Sequence, residues 1–195
     1  AGFIGTHLIR KLIELNAEVI ALDNFSIGRK YNLKFFDGQI IEANVNDRNL
    51  LNIIKCDVDY IFHFGAPSSV ILFNENPSKC FNETCGGFLN IIKLAEEKAV
   101  KKIIYPSSGS VYGTTVPPQS EKDVPKPINL YGIAKLTCEK IAEFYLNNIN
   151  SVGLRIFAGY GPGENHKGRI ASPVTIFLKS IVANKRPLVL SLIHI

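Results

Sequence analysis

The chain has 195 residues, of which 46% are hydrophobic and 20% are charged. This composition excludes a disordered tail and predicts a soluble globular domain with one sizeable core. The net charge is +5, but no basic run exceeds two residues, so the sequence does not predict a nucleic-acid-binding surface. No apolar stretch reaches the roughly 18 residues that a membrane span needs, so we expect no membrane partner.

The cysteine pattern predicts neither a metal site nor a disulfide framework, because the four cysteines form no CxxC pair. Reduced thiols and a cytoplasmic location are expected for such a pattern. Methionine is absent, even at position 1, so we expect the natural protein to begin upstream of Ala1. We also expect residues 191–195 to be an artefactual tail, because they follow a strand pattern that has only just begun.

Helical and strand patterns alternate along the chain. Apolar residues recur with helical spacing from Phe3 to Leu15, and the β-branched run Glu18–Asp23 follows, which predicts a helix and then a strand. Further strands are predicted at 39–43, 59–64, 102–105, 152–157 and 187–190, and further helices at 47–55, 77–99, 129–148 and 172–183. This alternation predicts an α/β fold with a doubly wound parallel sheet that helices cover on both faces.

The predicted connection from Ser107 to Ile128 interrupts this alternation, because it is long and rich in proline, glycine and serine. A loop of this length in a compact domain is usually functional. It follows the carboxyl end of a predicted strand, which is where open α/β sheets bind their ligands. The sequence therefore places a candidate ligand site at this loop.

Two glycines, Gly2 and Gly5, stand at the predicted start of the first helix, with Phe3 and Ile4 between them. Such glycines let the backbone approach a phosphate, and the helix dipole favours the anion. Close packing of the helix on a strand would explain the same glycines. Asp23, at the end of the next strand, supports the ligand interpretation, since its carboxylate can accept hydrogen bonds from the ribose hydroxyls of an adenosine. Together these residues predict a dinucleotide-binding site.

Tyr131 and Lys135 lie one helical turn apart in a predicted helix, so both side chains project from the same face. A nearby cation stabilises a phenolate, which lets tyrosine act as a base at neutral pH despite its ordinary pKa of about 10. This spacing alone often occurs by chance. Ser108, directly after a predicted strand, adds a hydroxyl that can orient a substrate oxygen, and the three residues together predict a catalytic set.

Five motifs in this order, GFIG, ALDN, SSGSVYG, YGIAK and LRIFAGYGPG, resemble those of the extended short-chain dehydrogenases/reductases. The resemblance is to the NAD-dependent epimerase/dehydratase family, with UDP-glucose 4-epimerase-like members as the best match. It covers residues 2–190 and implies a Rossmann NAD-binding domain over residues 1–190. It also implies that the first strand of the fold and the C-terminal substrate region lie outside this chain.

The absent first strand is central in the doubly wound strand order 3-2-1-4-5-6. We therefore expect the strands that end at Asp23 and Phe64 to lie apart across an open slot. Unpaired backbone groups along that slot would lower stability, so the isolated chain is expected not to fold stably.

The resemblance implies that Ser108, Tyr131 and Lys135 are catalytic, and that Tyr131 and Lys135 also contact the NAD cofactor. The other cofactor-binding positions that the motifs imply are Gly2, Phe3, Ile4, Gly5, Asp23, Asn24, Gly28, Asn44, Val45, Phe64, Gly65, Ala66 and Phe157. Asn44 stands where the family usually has Asp, and it can still accept a hydrogen bond from the adenine amine. His63 is expected to be a packed strand residue and not a ligand.

Three departures from the family pattern concern the substrate. Thr84 replaces a common Asn, and Ala158 replaces an Asn that helps epimerases hold the nucleotide diphosphate. Gly109 and Ser110 stand where related sugar dehydratases carry an acid. The resemblance therefore favours epimerisation or simple oxidation over dehydration, and it leaves the sugar open.

The implied function is that of a nucleotide-sugar epimerase that works through a transient keto sugar with tightly bound NAD and no metal. A nucleotide-sugar substrate and a homodimer are the expected partners. Two alternatives stay open: another NAD-dependent nucleotide-sugar or ADP-heptose epimerase or dehydrogenase, and a non-catalytic dinucleotide-binding Rossmann protein. The segment FAGYGPGENHKG resembles the corresponding loop of ADP-heptose epimerases. His166, Lys167 and Arg169 in this region could bind a substrate diphosphate, although a solvated loop is the favoured interpretation.

Overall fold

The computed structural model describes residues 1–47 and 49–187. The chain forms two compact units. The first combines residues 1–42 with the described residues from 158 onward, and the second contains residues 43–157. Each unit has its own parallel sheet.

The described residues of the first unit form two strands and two helices, with two short 3-10 turns. In chain order its helices and strands are α1 (Phe3–Glu14), β1 (Ile20–Asp23), β2 (Gln39–Glu42) and α6 (Pro173–Val182), and its 3-10 turns are Lys30–Leu33 and Asn165–Ile170. Strands β1 and β2 are parallel, and Ile20 pairs with Gln39. The buried core of this unit consists of Ile9, Ala21, Leu33 and Phe36.

Helix α1 shows how the local sequence sets the bounds of an element. Apolar side chains recur at helical spacing from Phe3, and Ile9 lies in the core. The helix ends before Asn16, which adopts a left-handed backbone conformation (φ 57°) that asparagine tolerates better than most residues. This turn leads the chain into β1, which ends at Asp23.

The second unit has a three-stranded sheet with helices. In chain order its elements are α2 (Leu50–Ile53), β3 (Tyr60–Phe62), α3 (Val70–Glu75), α4 (Pro77–Glu97), β4 (Lys102–Ser108), α5 (Leu130–Phe144) and β5 (Ser151–Ile156). Strand β4 is central and pairs in parallel with β3 and β5. Buried residues alternate along β4, among them Ile103 and Tyr105. Tyr105 packs on Phe88 of α4, with ring centroids 4.6 Å apart, so this face of the sheet is the one that the helices cover.

The predicted elements are found with shifted bounds. Strand β4 continues beyond the predicted end at Tyr105 as far as Ser108, and α2 is a single turn within the predicted helix at 47–55. The periodicity does not predict α3, which has only six residues. Its one local signal is Ser69, whose hydroxyl accepts the Leu72 N–H (3.3 Å) as an N-cap. The predicted strand at 187–190, apart from its first residue, and the predicted tail at 191–195 lie outside the described residues.

In the described chain the strands on either side of the absent first strand do not pair with each other, as expected, but the second sheet is not covered on both faces. The described strands form two sheets, with the orders β1-β2 and β3-β4-β5. In the doubly wound order 3-2-1-4-5-6, β1 and β2 of this chain correspond to strands 2 and 3, and β3, β4 and β5 correspond to strands 4, 5 and 6. The pairing within each unit therefore agrees with the predicted fold class. The second sheet buries the face next to α4 and α5, whereas Phe62, Val152 and Leu154 on its other face are 37–40% exposed.

A helix that crosses a lipid bilayer needs about 20 consecutive, mostly apolar residues. None of the helices in the described part of the chain is both long enough and apolar enough to cross a membrane.

Candidate active site

Strand β4 ends at Ser108, where the serine side chain turns the chain. The Ser108 hydroxyl accepts a hydrogen bond from the Ser110 N–H (3.1 Å) and caps the 3-10 turn Gly109–Val111. Ser108 is buried. The predicted catalytic serine is therefore held at the carboxyl end of the central strand.

Helix α5 carries the other two predicted catalytic residues. Its N-cap is Asn129, whose side-chain oxygen accepts the Gly132 N–H (2.8 Å), so the helix begins directly before Tyr131. A Cβ placed on Gly132 would lie 2.6 Å from the Ser110 carbonyl oxygen, so this glycine lets α5 come close to the turn after β4. This approach places Tyr131 beside the turn that Ser108 caps.

Tyr131 is partly buried against Phe73 of α3, with the two rings edge to face and their centroids 5.5 Å apart. Burial raises the pKa of the Tyr131 phenol, and a hydrogen bond from Ser108 opposes this rise. Lys135 Nζ lies 5.8 Å from the centre of the Tyr131 ring. Burial is the larger of the two effects on the Tyr131 phenol, so its pKa stays above the ordinary value. The expectation that Lys135 and an oxidised nicotinamide together stabilise the phenolate stays a prediction. A base role for Tyr131 therefore needs further positive charge.

Lys135 is a buried cation. It is 3% exposed, and its ammonium group forms no ion pair with a carboxylate of the described residues. Burial lowers the pKa of Lys135, while the neighbouring thiols of Cys138 and Cys85 raise it. Burial of an ammonium group without a counter-ion costs free energy, so a hydrogen-bond acceptor would stabilise the Lys135 ammonium group.

The predicted adenine-side residues of the second unit lie in the loop after residue 42. A Cβ placed on Gly65 would lie 3.7 Å from Val45 Cγ1, so the structure brings these two positions together. The Asn44 side-chain oxygen accepts the Asn46 N–H (2.9 Å) and therefore already has a partner within its own loop. Phe157 directly follows β5 and is 62% exposed.

The segment after β3 contains His63 and the predicted cofactor-binding residues Phe64 and Ala66. His63 is buried and stacks on Phe88, with ring centroids 5.9 Å apart, so it is a packed residue as the sequence predicts. Burial, with a smaller effect of the Lys135 charge, lowers the His63 pKa to about 3. Phe64 and Ala66 are partly buried.

In the first unit, Gly2 and Gly5 lie at the start of α1, where Gly2 is the N-cap with extended backbone (φ −78°). A Cβ placed on either glycine would meet no atom of the described residues within 4 Å. Neither the backbone conformation of Gly2 nor contacts within the described chain therefore requires glycine. The open space at a helix N-terminus fits a bound phosphate. Phe3 and Ile4 form the first turn of the same helix.

Asp23, Asn24 and Gly28 lie close to the start of α1. One Asp23 carboxylate oxygen accepts the Phe25 N–H (2.7 Å), and the other accepts a hydrogen bond from the Ala1 backbone nitrogen (2.7 Å). The Asn24 side-chain oxygen accepts the N–H two residues later (3.1 Å). A Cβ placed on Gly28 would lie 2.8 Å from the Ala1 carbonyl carbon, so glycine permits this close approach. The structure therefore brings together the predicted dinucleotide-binding residues of this unit.

The loop before α6 is anchored by Glu164, which the sequence does not single out. Glu164 is 1% exposed and accepts hydrogen bonds from Ser172 Oγ (2.7 Å), Thr175 Oγ1 (2.5 Å) and Lys167 Nζ (2.9 Å). These bonds outweigh burial and hold the Glu164 pKa at about 2. His166 Nδ1 donates to a carbonyl of its own turn (3.0 Å). Two of the three candidate diphosphate ligands thus have partners within this loop.

Two side chains beside the catalytic set are not predicted from the sequence. Phe73 packs on Tyr131, and Glu139 accepts a hydrogen bond from Ser107, the neighbour of Ser108. Spacing could have revealed Glu139, because it lies one helical turn beyond Lys135 on the same side of α5. Phe73 lies on a helix too short to show periodicity. Among the described side chains, no group of three or more His, Cys, Asp or Glu is arranged to hold a metal ion.

The parallel sheets, the glycine-rich start of α1 and the Ser108–Tyr131–Lys135 set define the class of extended short-chain dehydrogenases/reductases. The profile of the NAD dependent epimerase/dehydratase family matches residues 1–192. The chain belongs to this family. The match confirms the predicted family and, with the structural relatives described below, the predicted Rossmann fold class.

The chain is similar to several nucleotide-sugar epimerases. It is 31% identical over 179 residues to the UDP-glucose 4-epimerase of Lacticaseibacillus casei, which covers 85% of this chain and 53% of that protein. The crystal structure of Thermotoga maritima UDP-glucose 4-epimerase with UDP-glucose is 32% identical, with a TM-score of 0.87 over 95% of this chain and 62% of that one. Helicobacter pylori ADP-L-glycero-D-manno-heptose-6-epimerase is also 32% identical, with a TM-score of 0.86 over 95% and 62%. This chain therefore spans less than two thirds of each of these proteins.

The residues present fit NAD, the cofactor that the description of the family names. The open space at Gly2 and Gly5 suits a pyrophosphate at a helix N-terminus. The buried Lys135 ammonium, which has no carboxylate partner in the described chain, suits the hydroxyl oxygens of a ribose. The predicted cofactor is thus confirmed at the level of the family.

Proposed function

We propose that the protein to which this chain belongs is a nucleotide-sugar epimerase of the UDP-glucose 4-epimerase type with tightly bound NAD. The observation that carries the proposal is the convergence of Ser108, Tyr131 and Lys135 at the carboxyl end of β4. The similarity to the UDP-glucose 4-epimerases of L. casei and T. maritima supports the substrate class.

The residues of the catalytic set have different tasks in this reaction. Tyr131 removes the proton from a sugar hydroxyl, and Ser108 orients the oxygen that loses it. When bound, NAD would supply the hydride acceptor and donor that the interconversion of the sugar and its keto form requires. Lys135 holds the nicotinamide ribose, and its charge, together with that of the oxidised nicotinamide, offsets the burial of the Tyr131 phenol. Tyr131 finally returns the proton to the oxygen.

The cofactor-binding residues follow from the positions that the motifs assign. Gly2 and Gly5, with Phe3 and Ile4, bind the pyrophosphate at the start of α1. We assign the adenosine ribose to Asp23, Asn24 and Gly28, and the adenine to Asn44 and Val45. The nicotinamide half of the cofactor is assigned to Phe64, Gly65, Ala66 and Phe157. Asn44 would contact the adenine through its side-chain nitrogen, since its oxygen accepts the Asn46 N–H.

Tyr131→Phe tests the proposed function. The variant keeps the aromatic contact with Phe73 but has no proton to exchange, so epimerisation should be lost while NAD stays bound. A coupled epimerase assay and calorimetric NAD titration measure the two properties. Tyr60→Phe removes a hydroxyl from an exposed tyrosine at the start of β3 and serves as the matched control. Substantial epimerase activity in Tyr131→Phe would exclude Tyr131 as the base.

A second candidate function is epimerisation of an ADP-heptose. It is favoured by the similarity to the H. pylori heptose-6-epimerase and by the likeness of the FAGYGPGENHKG segment to that group. Assays of UDP-glucose, other UDP-sugars and an ADP-heptose under identical conditions separate the two candidates. A protein that binds NAD but converts none of these substrates would favour the non-catalytic alternative.

The remaining predictions about the protein belong to the same proposal. We assign residues 1–190 to an NAD-binding domain and expect a cytoplasmic homodimer. Light scattering of the purified protein measures the oligomeric state, and fractionation of the producing cell measures the location.

A further inference from the structure

A polar network joins several segments of the second unit beside the catalytic set. The Glu139 carboxylate on α5 accepts a hydrogen bond from Ser107 at the end of β4 (2.5 Å). It also accepts two from the Arg155 guanidinium on β5, over 2.9 Å from Nε and 2.8 Å from Nη2. Arg155 in turn donates to the Glu121 carbonyl (3.4 Å) and lies 4.9 Å from the centre of the Tyr112 ring. Glu139 therefore ties α5 to β4 and β5, and through Arg155 to the long loop after β4.

The geometry of this network is well defined. The side chains of Arg155 and Glu139 are 19% and 18% exposed, and both carboxylate oxygens are used. A two-point contact between guanidinium and carboxylate restrains orientation as well as distance. Burial alone would raise the pKa of Glu139, but hydrogen bonds from Arg155 and Ser107 outweigh it and keep the pKa below its ordinary value. The carboxylate therefore stays charged at neutral pH.

The spacing on α5 connects this network with the catalytic set. Tyr131, Lys135 and Glu139 occupy successive turns on one side of the helix. Ser107 and Ser108 are consecutive at the end of β4: Ser107 donates a hydrogen bond to Glu139, and Ser108 lies near enough to Tyr131 to lower the pKa of its phenol. A shift of Ser107 away from α5 would carry Ser108 with it.

We infer that Glu139 is a positioning residue: through Ser107 it holds the end of β4 against α5, so that Ser108 meets Tyr131. The kinetic part of this inference rests on the proposed function. Its structural part does not, because the contact between Ser108 and Tyr131 can be measured without substrate or cofactor.

Removal of the Glu139 charge could also change the Tyr131 pKa directly, through electrostatics. The direction of the pKa change distinguishes this direct effect from a loss of positioning. The titratable and charged groups that face Glu139 or Tyr131 are Arg155 from β5, Tyr105 from β4, and Lys135, Cys138 and Lys140 from α5. With the Glu139 carboxylate gone, the unpaired Arg155 charge would favour the phenolate and lower the Tyr131 pKa. Loss of the Ser108 hydrogen bond would raise the Tyr131 pKa.

Glu139→Gln and Ser107→Ala test the inference, and Ser107→Ala changes no charge. Tyrosinate absorbance of the cofactor-free protein is titrated with alkali, and the curve of the matching Tyr131→Phe protein is subtracted to isolate Tyr131. We expect the Tyr131 pKa to rise by about half a unit in both variants. In the epimerase assay, kcat should fall about 10-fold with KM changed by less than about 2-fold, and the rising limb of the pH profile should move to higher pH.

Glu143→Gln is the matched control, because Glu143 lies on the same helix in an exposed ion pair with Lys140 (2.6 Å). The Tyr131 pKa and the kcat of this variant should equal those of the unaltered protein. An unchanged or lowered Tyr131 pKa in Ser107→Ala would overturn the inference, even if the melting temperature fell. Epimerase activity in Tyr131→Phe would contradict the proposed function. The titration of Tyr131 would still test the positioning role of Glu139. If Glu139→Gln does not fold, Ser107→Ala alone decides it.

Discussion

The ammonium group of Lys135 is buried, and burial of a charge lowers the stability of the folded protein. It is 3% exposed and has no carboxylate partner in the described chain. Burial lowers its pKa, which means that the surroundings disfavour the protonated form. Residues that lower stability in this way persist where function requires them, so the buried ammonium supports the proposed contact with a cofactor ribose.

We expect Lys135→Met to separate stability from function. Methionine fills a similar volume without a charge, so the free energy of unfolding should stay the same or rise by about 1–3 kcal/mol. NAD binding should weaken, and epimerisation should be lost. Urea unfolding of the cofactor-free protein and calorimetric NAD titration provide the measurements, with the exposed Lys140→Met as control. A clear loss of stability would show that the ammonium group helps to hold the fold.

Asp23 leads us to expect tighter binding of NAD than of NADP. Its carboxylate lies beside the start of α1 and would repel a 2′-phosphate. Lys30 does not offset this charge freely, because its Nζ pairs with the Glu42 carboxylate (2.6 Å). Asp23→Asn should therefore reduce the preference for NAD about tenfold, which corresponds to about 1.4 kcal/mol. In calorimetric titrations, tighter binding of NADP by the unaltered protein would show that Arg29 and Lys30 outweigh Asp23.

At the scale of elements, the approach of α5 to the end of β4 depends on one glycine. A Cβ on Gly132 would lie 2.6 Å from the Ser110 carbonyl oxygen, which is backbone and cannot easily move aside. Gly132→Ala should therefore destabilise the protein by about 1–3 kcal/mol, although alanine favours a helix by about 1 kcal/mol. It should also lower kcat, because Tyr131 would move away from Ser108.

Gly5→Ala is the matched helical control for this prediction. No atom of the described residues lies within 4 Å of a Cβ at Gly5, so only the helix propensity should act. In the cofactor-free protein this variant should gain up to about 1 kcal/mol. If Gly132→Ala gained as much, α5 would not be as close to the turn as the structure shows.

For the molecule as a whole, we expect stability to fall in two stages on acidification. The His63 pKa is lowered from 6.5 to about 3 by burial and, to a smaller extent, by Lys135. The unfolded chain therefore binds a proton at His63 that the folded protein does not, and stability is lost as pH falls below 6.5. Hydrogen bonds hold the Glu164 pKa at about 2 against an ordinary 4.5, so its contribution is lost as pH falls from 4.5 towards 2.

His63→Phe and Glu164→Gln test the two stages separately. Between pH 6.5 and 5 the unaltered protein should lose about 2 kcal/mol through His63, and His63→Phe should lose less, since phenylalanine binds no proton. Glu164→Gln should change only the stage below pH 4.5. Urea unfolding over a pH series measures both. Equal acid sensitivity of His63→Phe and the unaltered protein would assign the first stage to another group.

The elements with strong periodicity could be predicted from the sequence, and the weak ones could not. The ends of helices α1, α4 and α5 lie within four residues of their predicted bounds, because each helix has an apolar face with clear spacing. Helix α3 escapes prediction because six residues are too few to show a period. The coverage of the sheet also differs from prediction, because a run of apolar residues does not tell which face a neighbouring helix covers.

The residues of the candidate site also divide into those that the sequence predicts and those that it does not. Helical spacing, the position after a strand and the order of the family motifs together predict Ser108, Tyr131 and Lys135 as the catalytic set. The contact of Glu139 with Arg155 joins α5 to β5, and no local pattern reports it. The same holds for Phe73, which packs on Tyr131 from another helix.

By itself, the sequence determined the alternation of helices and strands, the fold class and the family, because local periodicity and the order of short motifs carry this information. Only the tertiary structure decided which face of the second sheet is covered and that Lys135 is buried. It also decided that burial raises the Tyr131 pKa and that Glu139 connects β4, α5 and β5. The physical reason is that desolvation and hydrogen bonding depend on neighbours distant in the chain, which only folding brings together.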